Sequence, residues 1–118
     1  MNIEELRDFC LSLKETEEKM PFGDQVLVFY VKGKIFCLTD INEFEFINLK
    51  CNPETAIEMR ERYTEVTPGY HMNKKHWNSL NINGNIPTQL IKAWIINSYQ
   101  LVIKTLPRKI QKELEGKL

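Results

Sequence analysis

Apolar positions recur at helical spacing near the start of the chain, where Leu6, Phe9, Cys10 and Leu13 fall on one stripe. Asn2 and Glu5 stand three apart, as a capping box requires, so the pattern predicts a first helix from Ile3 to Leu13. The charged run KETEEK then leads into Met20-Pro21-Phe22-Gly23, whose proline and glycine predict a turn. After it the pattern changes. VLVFYV (26–31) and KIFCLTD (34–40) are rich in branched and aromatic residues, and only Lys32-Gly33 separates them, which predicts a tight hairpin. FEFINLK (44–50) reads as a third strand beyond a polar turn.

Asn52-Pro53-Glu54 combines a capping amide, a proline for the first helical position and an acid in the first turn, so a second helix should run to about Tyr63. Its apolar stripe, drawn from Ala56, Ile57, Met59, Tyr63 and the stem of Arg60, is weak. A short strand is expected around Val66 to Tyr70, interrupted by Pro68-Gly69. Another, in which Asn78, Leu80 and Ile82 alternate with Trp77, Ser79 and Asn81, should end at Asn83-Gly84. Pro87 opens a long helix extending to Leu106. Leu90, Ile91, Trp94, Ile95, Ser98, Leu101 and Val102 form its broad apolar face, with Trp94 and Leu101 expected to meet the sheet. Pro107 breaks it, and a short charged helix closes the chain. The order α-β-β-β-α-β-β-α describes a single α+β domain over residues 1–118, with a five-stranded antiparallel sheet and helices packed mainly on one face. Such a sheet leaves a face or an edge for a partner.

Composition adds little until charge is followed along the chain. The 118 residues carry no net charge, yet residues 1–65 hold 14 acids and 8 bases and residues 66–118 hold 2 acids and 8 bases. No acid lies between Glu65 and Glu113, while Lys74, Lys75, Lys92, Lys104, Arg108, Lys109 and Lys112 do. That asymmetry suits a polyanion-binding face, unless folding interleaves the two halves. Cys10, Cys37 and Cys51 are odd in number and lack CxxC spacing, which suggests reduced thiols. No apolar run reaches membrane-spanning length and the first residues lack a secretory pattern, so a cytoplasmic protein without membrane contact is expected.

One stretch concentrates unusual residues. HMNKKHW (71–77) holds both histidines, one of two tryptophans and a lysine pair. Catalysis would need Cys51 beside His71 or His76 as base, but no local acid could orient the imidazole. Zinc would need two further ligands, because histidines five apart match neither a helix face nor a strand face. No enzyme activity, metal or cofactor is therefore expected. Nucleic acid fits better: Lys74, Lys75 and His76 can meet phosphates, Asn73 can donate to phosphate or base edges, and Trp77 or Tyr70 can stack on an unpaired base. Arg108 and Lys109 extend the candidate set. The simpler role is structural, with His71 and Trp77 fixing the connection and the lysines solvated. Both roles can coexist.

MPFG, GKIFCL, INLKCNPE, PGYHMNKKHWNSL and SYQLV occur in this order along the chain. With those blocks the sequence resembles the MmcQ/YjbR family of small bacterial proteins from about Ile3 to Pro107. The resemblance implies a two-layer α+β fold grouped with CyaY-like and secretion-chaperone-like domains, and a DNA-binding role without a catalytic site. The expected function is thus a small nucleic-acid-binding protein. The alternative is a protein-interaction module using an exposed sheet face, which outward-facing Phe29, Phe36, Phe44 and Phe46 would favour.

Overall fold

In a computed structural model, which describes residues 1–69 and 72–117, the local signals at each helix start are met. Helix α1 (Ile3–Ser12) carries a full capping box between Asn2 and Glu5. Helix α2 (Pro53–Arg62) is capped by Asn52, whose side chain accepts from the Glu54 amide. Helix α3 (Thr88–Ile103) follows Pro87, and α4 is Arg108–Lys117.

The described strands are β1 (Thr16–Lys19), β2 (Val26–Val31), β3 (Lys34–Asp40), β4 (Phe46–Lys50), β5 (Val66–Pro68) and β6 (Trp77–Asn81). They form one six-stranded sheet in the order β1-β2-β3-β4-β6-β5, antiparallel at every pairing. The expected count of five is corrected by β1, which lies inside KETEEK. It lengthens the sheet at an edge, pairing Thr16 with Val31 and Lys19 with Val28. Apolar alternation is absent there because charged residues are what an edge strand uses to resist pairing with another molecule. Its inward side is nonetheless specific, since Glu18 forms an ion pair with Arg7 of α1. The arginine's hydrogen bond holds the Glu18 carboxyl below the usual glutamate range.

Lys32 and Gly33 have φ of 49° and 79°, the left-handed pair that a two-residue hairpin needs. The third expected strand is shorter than FEFINLK. Phe44 has φ 45°, so residues before Phe46 belong to the turn.

Paired residues share a sheet face. Leu27, Phe29, Cys37, Ile47, Leu49 and Leu80 point to the face covered by α1, α2 and α3, where one core forms with Leu6, Cys10, Ala56 and Met59. Helix α3 meets it through Ile91, Ile95, Ser98, Tyr99 and Val102. Trp94 and Leu101, expected to carry the packing on the sheet, are only half-buried. They lie on the flanking stripe, where Trp94 packs edge-on against Tyr63 at 5.2 Å. The core contact is richer in polarity than an apolar stripe suggests. Ser98 Oγ donates to Phe36 O at 2.6 Å and accepts from Lys50 N at 2.9 Å. Those two groups lie just past the last β3–β4 pair, Cys37 with Leu49, so the serine completes a ladder that the strands leave open. Val28 and Leu114 are also buried but stand outside this core, Val28 on the opposite sheet face.

Candidate functional site

The segment before β6 is a turn built by backbone bonds. Asn73 O accepts from His76 N at 3.2 Å and from Trp77 N at 2.9 Å, while Asn73 Oδ1 accepts from Lys75 N at 2.9 Å. A short amide side chain taking the N–H two residues on is the reason asparagine suits such a turn. Cys51 N then donates to His76 O at 2.7 Å, joining the turn to the end of β4.

A second anchor arrives from α2. Arg60 Nε donates to Asn78 Oδ1 at 2.6 Å, and its Nη2 donates to Lys74 O and, at 3.4 Å, to Trp77 O. One guanidinium therefore fixes three points along Lys74–Asn78, a task its rigid fork of donors performs better than any other side chain. Sequence reasoning gave Arg60 only a buried stem. The available signal was an arginine one residue past the buried Met59, on a helix whose apolar stripe is otherwise thin.

Asn73, Lys74 and Lys75 are exposed and His76 is half-buried. His71, the other structural candidate, and Tyr70, the alternative stacking ring, lie outside the described residues. Trp77 is only 9 % exposed. Its ring has too little free surface to be the stacking platform that one reading of the sequence offered. Gly69, just upstream, donates its N–H to Trp77 O at 2.8 Å, and a Cβ on it would sit 2.8 Å from Trp77 Cβ. Only glycine permits that approach.

The register gathers other cations around this turn. Lys50 pairs with Trp77 across β4 and β6, and Lys34 begins β3 beside the Lys32-Gly33 hairpin. Lys34 and Lys50 line a shallow recess of about 510 Å³ with Tyr30, Met72, Trp77 and Thr105, and no acid lines it among the described residues. Lys19 Nζ lies 5.6 Å from the Tyr30 ring centre. Lys19 and Lys32 are less available, since they pair with Glu17 at 3.5 Å and with Glu15 at 3.6 Å. Arg108 and Lys109 are exposed on the first turn of α4, shortly after Thr105, and do not line the recess. The lysines that line it, Lys34 and Lys50, come from the acid-rich half of the chain, and the turn that carries Lys74 and Lys75 meets it through Met72 and Trp77. Folding interleaves the halves, and Lys92 stands apart, with Nζ 5.3 Å from the Phe9 ring centre.

The thiol considered for catalysis turns inward. Cys51 Sγ lies 3.7 Å from Met59 Sδ and 3.8 Å from Asn78 Nδ2. Burial pushes its pKa up, which disfavours the thiolate a nucleophile needs. Cys37 is likewise raised, first by its hydrogen bond with Cys10 and then by burial. Among the described residues, no three His, Cys, Asp or Glu side chains converge to hold a metal.

Comparison with known proteins sets this architecture in a group. The YjbR family model matches residues 11–101, and the chain belongs to that family. It is 37% identical over 112 residues to the uncharacterized protein YbdF of Escherichia coli O157:H7, covering 94% of this chain and 92% of that one. It is 33% identical over 90 residues to the uncharacterized protein YyaQ of Bacillus subtilis (strain 168), covering 76% and 73%. Among solved structures, the Deinococcus radiodurans protein DR2400, a DUF419 domain, superposes with a TM-score of 0.90 at 36% identity, covering 97% of this chain and 88% of that one.

Proposed function

We propose that this member of the YjbR family is a non-catalytic protein that binds nucleic acid through the basic end of its sheet. The observation that carries the reading is a recess lined by Lys34 and Lys50, and by no acid among the described residues, against Met72 and Trp77 of the turn that exposes Lys74 and Lys75. Arg108 and Lys109, exposed at the start of α4, are further candidate contacts outside the recess. With Trp77 buried, the contacts are mainly to phosphate, so binding is weakly dependent on sequence. A chain without net charge has no global attraction to a polyanion, so affinity is modest and rests on this end alone.

The strand aromatics give the protein-docking alternative little support. Phe29 and Phe36 are fully buried, Phe44 packs against the core, and only Phe46 of the four contributes to the other sheet face. The deciding experiment is a titration of single-stranded and duplex DNA across salt concentrations. Log affinity should fall with log salt by about 0.9 per phosphate contacted on duplex and about 0.7 on single strands. Lys74→Ala with Lys75→Ala should flatten the slope by up to about two and weaken all sequences alike. An unchanged slope, or no binding by the natural chain at low salt, removes this reading in favour of protein docking.

A further inference from the structure

The sheet face turned away from α3 holds a second, larger cavity of about 730 Å³. Ligand sites for small molecules span about 300–1,000 Å³. Val26, Leu38, Phe46 and Met72 supply apolar wall, and Phe22, 65 % exposed, stands at the lip. The first three lie on β2, β3 and β4, with side chains on the same face by register.

Two observations show that this is more than an apolar hollow. The first is polar chemistry beneath it. Asn48 and Ser79 pair across β4 and β6 at the centre of the sheet, 7 % and 3 % exposed, where apolar side chains would serve packing better. Ser79 Oγ donates to Asn48 Oδ1. Asn48 lines the cavity, and none of the hydrogen bonds among the described residues uses its amide nitrogen as donor, which leaves that nitrogen open to a ligand acceptor.

The second observation is charge. Asp40, Glu43 and Glu45 line one end of the cavity, and no lysine or arginine lines it among the described residues. They come from the end of β3 and the turn after it. Phe44, between the two glutamates, holds a left-handed φ of 45° that a bulky residue adopts only under constraint. Its ring packs against the helix-covered core while its two neighbours line the opposite face. Asp40 is half-buried, with Oδ1 3.5 Å from Phe46 N.

We propose that this cavity binds a small organic cation, an amine carried on an apolar or aromatic body. The body fills the apolar floor, the ammonium meets the carboxylates at the β3–β4 end, and a hydroxyl or carbonyl on the ligand accepts from Asn48. A carboxylate ligand is repelled by the same three acids. The cavity shares Met72 with the basic recess, but its acids lie at the opposite end of β3 and β4 from Lys34 and Lys50.

The test uses the full-length protein, labelled with ¹⁵N and followed by amide shifts of Leu38, Phe46 and Asn48. Three probes of matched shape are titrated: 2-phenylethylamine, 2-phenylethanol and 3-phenylpropionate. The amine should saturate these shifts about tenfold more tightly than the alcohol, the ratio expected from one charge-assisted contact. The carboxylate should bind least. Asp40→Asn and, separately, Glu45→Gln should narrow the preference for the amine while leaving alcohol binding unchanged, with unaltered spectra elsewhere reporting the fold. The proposal is overturned if no probe shifts these amides. It is equally overturned if the carboxylate matches the amine, or if both substitutions leave the preference intact. Shifts that vanish on diluting the protein would assign the cavity to a second copy of the chain instead.

Discussion

Ser98 illustrates how much can depend on one small side chain. It sits in the middle of an otherwise apolar helix face, and its hydroxyl satisfies both Phe36 O and Lys50 N. Ser98→Ala leaves a buried carbonyl and a buried amide without partners, so denaturant melts should show a loss of about 2–4 kcal/mol. Asn97→Ala, on the exposed side of the same turn, should change stability by less than about 0.5 kcal/mol. A loss at Ser98 no larger than at Asn97 would mean that water or a shifted strand supplies the missing bonds. In the sequence this serine was one more position in a stripe. Its importance depends on a ladder ending two strands away, which no local pattern records.

Between elements, the decisive link runs from α2 to the turn before β6 through Arg60. Arg60→Met keeps the stem and removes three hydrogen bonds to Lys74 O, Trp77 O and Asn78 Oδ1. Stability should fall by about 2–3 kcal/mol, and Arg60→Lys should recover little of it because an ammonium cannot span the three acceptors. If nucleic acid is held by Lys74 and Lys75, Arg60→Met should also weaken it, measured on protein shown to be folded at the assay temperature. Elements with strong local codes were legible in advance: the Asn2–Glu5 and Asn52-Pro53 helix starts, the Lys32-Gly33 hairpin and the β6 alternation. β1 was not, because a short edge strand made of polar and charged residues looks like a solvated linker until Arg7 is seen opposite Glu18. The lysine pair was visible as a motif, whereas Lys34 and Lys50 join it only through strand register. The apolar cavity had no linear signature at all, since Val26, Leu38, Phe46 and Asn48 look like ordinary strand residues until their shared face is known.

At the scale of the molecule, the sheet has a chemical direction. Lys34, Lys50, Lys74 and Lys75 mark one end, and Asp40, Glu43 and Glu45 mark the other. With no net charge at pH 7 and a pI near 6.7, monopole repulsion between molecules is almost absent near neutrality. What remains is a permanent dipole, which attracts neighbouring molecules head to tail over distances that salt shortens. The protein should therefore salt in: the osmotic second virial coefficient from light scattering at pH 7 should be negative at about 10 mM ionic strength and rise toward zero near about 150 mM, where the screening length has dropped from about 30 Å to about 8 Å. Replacing Lys74 and Lys75 by alanine both blunts the positive pole and leaves a net negative charge, so it should abolish most of that salt dependence. A flat virial coefficient in the natural protein would mean that its charges, though sorted in the fold, do not act as poles in solution.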